Sequence, residues 1–306
     1  MKFRSALLIL LIPLVSGCSG SAEDPGTGIL VSTDWVQEQM SDPDLILLHS
    51  GTAELYDSIH IPGARLIDPY TFTAKAEGVR NELPEADSLV DLLRKAGVDQ
   101  DSRIVLYHES ARLLTRTARV YLTLDHLGLG GQSFVMDGGL PSWQEENRQL
   151  SHELPQFSPG NLSSLDLKEV IVNPTEIEEN RWNDQWVLLD TRSDEEYFGT
   201  PASGDEPAEG GHIEGAYFLP YQELLVNEQD HKFKPVDEME LLFKQAGMDP
   251  DKEAVVYCGS GIRACAAYLA ARHLGYPVRL YDGSYEEWSE LGLPLTGPVS
   301  QPEINE

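Results

Sequence analysis

Cys258 follows the apolar run Val255-Val256-Tyr257 and opens the loop Cys258-Gly259-Ser260-Gly261-Ile262-Arg263, after which Ala, Leu and Tyr resume at helical spacing. The pattern predicts a buried strand, a tight loop and a helix, with a thiol on the first loop residue. Several backbone amides at a helix start have no partner of their own, so a sulfur facing them is favoured as thiolate. Gly259 and Gly261 let successive amides curl around that sulfur with no Cβ in the way. Ser260 can donate a hydrogen bond to the thiolate or to a substrate oxygen, or can serve simply as a small turn residue. The chemistry implied is nucleophilic attack by a cradled thiolate.

A second set of residues sits where it can support that loop. Asp190-Thr191-Arg192 ends the apolar strand Val187-Leu188-Leu189, which puts it at the sheet edge from which the loop departs. Asp190 and Arg192 are expected to support the site, with an ordinary surface ion pair as the alternative. No Cys/His cluster has ligand spacing, so neither a metal nor an organic cofactor is expected.

The elements that must position these residues occur twice. Leu93-Arg94-Lys95-Ala96-Gly97-Val98-Asp99 parallels Phe243-Lys244-Gln245-Ala246-Gly247-Met248-Asp249. Arg103 to Tyr107 parallels Glu253 to Tyr257, and His60-Ile61-Pro62-Gly63-Ala64 parallels His212-Ile213-Glu214-Gly215-Ala216. Met136-Asp137-Gly138-Gly139 with Trp143 parallels Tyr281-Asp282-Gly283-Ser284 with Trp288. Each half alternates short apolar strands with amphipathic stretches, the pattern of a parallel α/β sheet. Helices are predicted over 86–96, 112–127, 236–246 and 262–274. His108 stands in the first half where Cys258 stands in the second, and His49 where Asp190 stands.

The N-terminus carries an export signature. Lys2 and Arg4 precede the apolar run Ala6 to Val15, and Ser16-Gly17-Cys18 supplies small residues and a cysteine at the cut. Val15-Ser16-Gly17-Cys18 resembles a bacterial lipobox, which implies a lipidated Cys18 and attachment to a cell or outer membrane facing the periplasm. Residues 1–17 hold two basic and no acidic residues, so their loss takes the formal charge from -29 to -31. A surface of that sign excludes nucleic acid and anionic lipid as partners. Only Cys258 and Cys265 then remain of three cysteines, so there is no disulfide framework. Cys265 is expected about two helical turns below the loop, too far to bridge, as a small packing residue.

Taken together, the Cys258 loop, the paired H-I-x-G-A motifs and the D-x-R at Asp190 resemble tandem rhodanese-like sulfurtransferases over roughly residues 28–296. The resemblance implies an α/β fold of two rhodanese-like domains, each a central parallel sheet flanked by helices. The first would be inactive and the active site would lie at the interface. The implied segments are a signal at 1–17, a tether at 18–28, domains at 29–150 and 169–296, a linker at 151–168 and a tail at 297–306. The six-residue loop, C-x4-R, is one residue shorter than the C-x5-R of related phosphatases and better sized for one added sulfur. Cys258 would carry that sulfur as a persulfide, taken from a small donor and passed to a thiol, cyanide or an acceptor protein. A rhodanese fold that only carries sulfur or binds a partner is the rival.

Cys-Gly-Ser-Gly resembles the 3-mercaptopyruvate branch, which implies that His60 exchanges a proton near Cys258. Its alternative is a turn histidine bonding local backbone, as expected of His212. The same branch holds the substrate carboxylate with two arginines, but the matching positions here are Glu196 and Asp205, and 193–210 contains no Arg or Lys. Arg263 ends the loop where that branch has threonine. It is the expected cation for an anionic donor, unless it ties the loop to Asp190 or Glu214. Thiosulfate or a persulfidated protein is therefore expected over 3-mercaptopyruvate, with Arg65 or Arg112 as substitute cations should that branch's donor be used.

Overall fold

Strands whose residues are apolar on both faces must be covered on both sides, and helices do this in each half. A computed structural model describes residues 28–76, 79–163, 165–199, 210–227 and 232–297. Cys18 with its signal, Asp205 and the tail beyond 297 lie outside the described residues.

The first half contains β1 (Leu30–Val31), β2 (Leu45–Ser50), β3 (Arg65–Ile67), β4 (Ala74–Ala76), β5 (Val79–Glu82), β6 (Arg103–His108) and β7 (Ser133–Met136). The second contains β8 (Ile171–Val172), β9 (Trp186–Asp190), β10 (His212–Ile213), β11 (Tyr217–Phe218), β12 (Glu253–Tyr257), β13 (Val278–Tyr281) and β14 (Leu295–Thr296). One parallel sheet runs β1-β7-β6-β2-β3 and the other β8-β13-β12-β9-β11, the same order strand for strand. The expected α/β fold of two tandem parallel-sheet domains is the fold observed. The four expected helices form as Ala86–Lys95, Leu114–His126, Val236–Gln245 and Ala264–His273.

The repeated motifs make repeated bonds. The Ile61 amide donates to Tyr107 Oη at 3.2 Å, and the Ile213 amide to Tyr257 Oη at 3.1 Å. Tyr56 and Tyr197 donate to the carbonyls of Ala64 and Ala216. Trp143 and Trp288 each donate to a carbonyl six residues on, Gln149 and Pro294. These four tyrosine hydroxyls and two indole N–H groups thus find partners within an apolar layer.

The halves share one apolar core, centred where helix Leu114–His126 packs on helix Ala264–His273. Ala264, Ala266, Ala267, Ala270 and Ala271 are all fully buried there, and small side chains allow close approach. Tyr268 and Arg272 reach across to Asp125, at 2.6 and 2.8 Å. Deeper in the interface Arg119, fully buried, places Nη1 and Nη2 2.6 and 2.8 Å from the two oxygens of Asp282. Asp282 also accepts the Leu83 amide, and Arg119 Nη2 also donates to the Asn81 carbonyl. Burial opposes the charge on Arg119, but Asp282 outweighs it and raises the guanidinium pKa above its ordinary value.

The related aspartate of the first half shows what the arginine does. Asp137 accepts the Phe233 amide from the other half at 3.0 Å, as Asp282 accepts Leu83. The position matching Arg119 in the second helix is Leu269, however, and among the described residues no guanidinium faces Asp137. Burial pushes its pKa up to about 6 despite the Phe233 amide and the Lys232 charge.

Removing one partner of a buried pair strands the other charge. Arg119→Leu is expected to cost about 3–5 kcal/mol, read as a lower midpoint in denaturant melts. An unchanged midpoint would show that Asp282 is held adequately by the Leu83 amide.

Candidate active site

β9 and β12 are paired in register with Tyr257 opposite Asp190, so the D-x-R segment and the cysteine loop leave adjacent strands at one sheet edge. Cys258, 1 % exposed, comes next after β12. Its amide donates to Ser284 Oγ at 3.2 Å, and Ser284 donates onward to the Tyr281 carbonyl at 2.8 Å. The Cys258 and Gly259 carbonyls accept the amides of Tyr285 and Glu286, both at 3.0 Å. The loop is therefore stitched along its backbone to the 283–287 turn. Gly261 has φ +83°, and a Cβ there would lie 2.5 Å from the Asp282 carbonyl oxygen. Only glycine lets the loop close against that turn.

Asp190 and Arg192 are buried and bonded to each other, Nε at 3.0 Å from both oxygens and Nη2 at 2.7 Å from Oδ2. Arg192 Nη2 also donates to the Gly211 carbonyl at 2.6 Å, and its guanidinium lies 3.9 Å above the Tyr285 ring. The pair thus braces the Gly211 segment and the turn that carries the cysteine loop; it is not a surface ion pair. Thr191 completes the brace through two hydrogen bonds to the Tyr257 carbonyl.

Ser260 receives a contribution from the first half. Asn81, at the end of hairpin β4–β5 with φ +62°, donates Nδ2 to Ser260 O at 3.0 Å and to Ser260 Oγ at 3.2 Å. With Oγ accepting from Asn81, the hydroxyl proton of Ser260 is left to donate elsewhere. Ile262 lines the loop, half-buried.

Three expectations change on the structure. Arg263 ties the loop to neither Asp190 nor Glu214: its Nη1 and Nη2 each lie 2.6 Å from one oxygen of Glu196, while Glu214 pairs with Arg181. Burial opposes charge on Glu196, but the Arg263 hydrogen bonds and the Ser193 amide bring its pKa down to about 2. The hydrogen bonds to Glu196, with the nearby Cys258 sulfur, raise the Arg263 pKa. His60 does not turn toward the cysteine. Its ring nitrogens face the Tyr56 and Glu153 carbonyls at 2.6 and 3.2 Å, and it stacks on Tyr56 as His212 stacks on Tyr197. Cys265 lies in the first helical turn, not two turns down, because the helix starts at Ala264. It is buried and free, its thiol donating to the Gly261 carbonyl at 3.1 Å, and burial pushes its pKa up to about 12.

The matching loop of the first half is occupied by its own side chains. The Glu109 carboxylate accepts the Thr52 amide at 2.7 Å and meets His49 at 3.4 Å, and His49 contacts Tyr107 Oη at 2.9 Å. His108, fully buried, takes the cysteine position. Sequence reasoning missed Asn81, Arg119 and the Ser284 contact to Cys258. Asp282 and Ser284 were visible as a repeat of Asp137-Gly138-Gly139, but nothing local marks Asn81 or Arg119.

Two parallel-sheet domains, a glycine-bearing cysteine loop in one of them and a D-x-R brace beside it define a rhodanese-type architecture. Residues 32–146 and 173–291 each match the rhodanese-like domain, and the chain belongs to that family, in two tandem copies. It is 32 % identical to the sulfur carrier protein TtuD of Thermus thermophilus over 87 % of this chain and 96 % of that protein. It is 28 % identical to the 3-mercaptopyruvate sulfurtransferase of Escherichia coli, again over 87 % of this chain and 96 % of that one. A crystal structure of an Escherichia coli enzyme of that type superposes with a TM-score of 0.71 at 26 % identity, covering 84 % of this chain and 99 % of that one. These likenesses put the protein in the rhodanese-type sulfurtransferase class.

Gly261→Ala combines a left-handed backbone with a backbone clash, so it is expected to destabilise by about 1–3 kcal/mol and to abolish Cys258 reactivity. Alkylation rates of Cys258 and a thermal melt check both; wild-type alkylation would show that the loop tolerates a different closure.

Proposed function

We propose that this sulfurtransferase moves a sulfane sulfur through a persulfide on Cys258, from a donor such as thiosulfate or an organic persulfide to a thiol or cyanide. The observation that supports it most is the Cys258 sulfur set beside Arg263 in a glycine loop whose backbone is pinned at Ser284, Tyr285 and Glu286. With thiosulfate, the Cys258 thiolate bonds to the outer sulfur, the S–S bond breaks, and sulfite leaves with the electron pair. With 3-mercaptopyruvate the leaving group would be the pyruvate enolate, and a proton donor is needed to quench it. Ser260, its oxygen engaged by Asn81, is a better-placed donor than His60. Asp190 and Arg192 act as braces and do not touch the reacting sulfur.

A carrier reading rests on the likeness to the sulfur carrier protein TtuD: the same persulfide would form and wait for a partner without turnover on small acceptors. Mass spectrometry after donor treatment, with thiocyanate production from cyanide, separates the two. Cys258→Ser is expected to lose both the added mass of about 32 Da (one sulfur) and turnover, whereas Cys265→Ser retains most of each. Loss of both in Cys265→Ser would instead call for a two-cysteine relay. Loading of Cys258 without turnover on cyanide would favour the carrier.

The export reading is part of this proposal: the mature protein begins at a lipidated Cys18 and is held at a membrane facing the periplasm. Among the described residues no helix is long and apolar enough to cross a bilayer. Cys18→Ala is expected to move the protein from the membrane fraction to the soluble fraction with specific activity unchanged. Retention in the membrane fraction would mean that something other than Cys18 attaches it.

A further inference from the structure

Every arginine that the structure ties to the cysteine loop, or to the residues holding it, already faces a carboxylate. Arg192 is on Asp190, Arg119 on Asp282, Arg80 on Glu286 and Arg263 on Glu196. The last is the pair nearest the chemistry. A Cβ on Gly259, the residue after Cys258, would stand 3.1 Å from Arg263 Nη2 and 3.9 Å from Glu196 Oε1, so the pair forms one wall of the loop. Arg263 is the cation that a free anion would need, and the chain supplies an anion of its own to it.

That internal anion is well held. Glu196 grips Arg263 with both oxygens, and its Oε2 also accepts the Ser193 amide at 3.1 Å as part of a capping box on helix Asp194–Phe198. An incoming sulfonate or carboxylate must displace a bidentate, charge-assisted pair before it can use the guanidinium. Asp194 and Glu195, in the first turn of the same helix, add further negative charge beside Glu196. The substitute cation Arg65 is not available for this, because its Nη1 donates to the Ala96 and Gly97 carbonyls at 3.0 and 2.9 Å.

We infer that Glu196 is the specificity-determining residue of the site: by occupying Arg263 it selects against donors that carry a separate anionic group beside the transferable sulfur. It favours the persulfide of a small thiol, R–S–SH. The inference rests on Cys258 as sulfur acceptor. The step balances without an added oxidant. The Cys258 thiolate bonds to the terminal sulfur, the S–S bond of the donor breaks, and R–S⁻ leaves with the electron pair and takes up a proton. The terminal sulfur brings no sulfonate to be neutralised, so a neutral wall suffices for it. A small thiol also suits a cysteine only 1 % exposed.

The test compares kcat/KM for thiosulfate and for the hydropersulfide of 2-mercaptoethanol, which has no carboxylate, with cyanide as common acceptor, in wild type, Glu196→Gln and Glu196→Gln/Arg263→Gln. Glutamine keeps a carbonyl for the Ser193 amide, so the cap survives, and a thermal melt checks the fold. Wild type is expected to prefer the persulfide. In Glu196→Gln the thiosulfate KM is expected to fall about tenfold, the size of one charge-assisted contact set free, and the gain is expected to vanish in the double variant. A wild-type preference for thiosulfate, or a donor ratio unmoved by Glu196→Gln while Cys258 still loads, overturns this inference alone. Failure of Cys258 to load from either donor overturns the sulfur-transfer reading and this inference with it.

Discussion

The ion pair between Arg119 and Asp282 is the constraint on which the rest of the molecule depends. Two charges removed from water hold a fold together only when their attraction and the hydrogen bonds around them outweigh the hydration they lose. Here the carboxylate receives two guanidinium nitrogens and the Leu83 amide, and the guanidinium passes a further bond to the Asn81 carbonyl. Those groups come from a helix and a hairpin of one half and a turn of the other. The pair therefore fixes how the halves meet. It also fixes the floor of the cysteine loop, since Gly261 lies directly against the Asp282 backbone and Asn81 reaches Ser260 from above.

The two halves show how one scaffold supports two different fates. The tyrosine that receives the isoleucine amide, the stacked tyrosine and histidine, and the tryptophan tied six residues on are the same in both, so both sheets carry the same edge. The divergence is confined to what stands on that edge. In the first half Glu109 fills the loop and bonds Thr52 and His49; in the second Gly259 leaves room and Glu196 withdraws to one side with Arg263. The first loop thus differs from the second in occupancy as well as in lacking a thiol.

Fold and site were legible to different degrees, for a physical reason. Strands buried on both faces and helices with one apolar stripe write their character into short windows, which is why β6, β12 and the four long helices were visible. The H-I-x-G-A motif was visible too, but its histidine drew a chemical reading that the backbone claims: both ring nitrogens of His60 face carbonyls. Glu196 and Arg263 were each noticed, one as repulsive and one as attractive. That they cancel depends on a contact between residues 67 apart, which no local pattern records. Asn81 and Arg119 act across the domain boundary, and hairpin β4–β5, running Ala-Lys-Ala to Val-Arg-Asn-Glu, lacks the β-branched run that would have announced strands.

Cys265 has a bearing on how the protein survives oxidants. Its thiol donates to the Gly261 carbonyl and its pKa stands near 12, so it offers almost no thiolate at physiological pH. Held as a thiol, Cys265 is poorly prepared to resolve an oxidised Cys258, and a sulfenic acid left unresolved there would proceed to sulfinic and sulfonic acids that thiols do not reverse. A persulfide changes that outcome, because the oxidant then spends itself on the outer sulfur and leaves an S–S bond that a thiol can still cleave. The loaded state is the durable one, and a supply of donor protects the nucleophile as well as serving it.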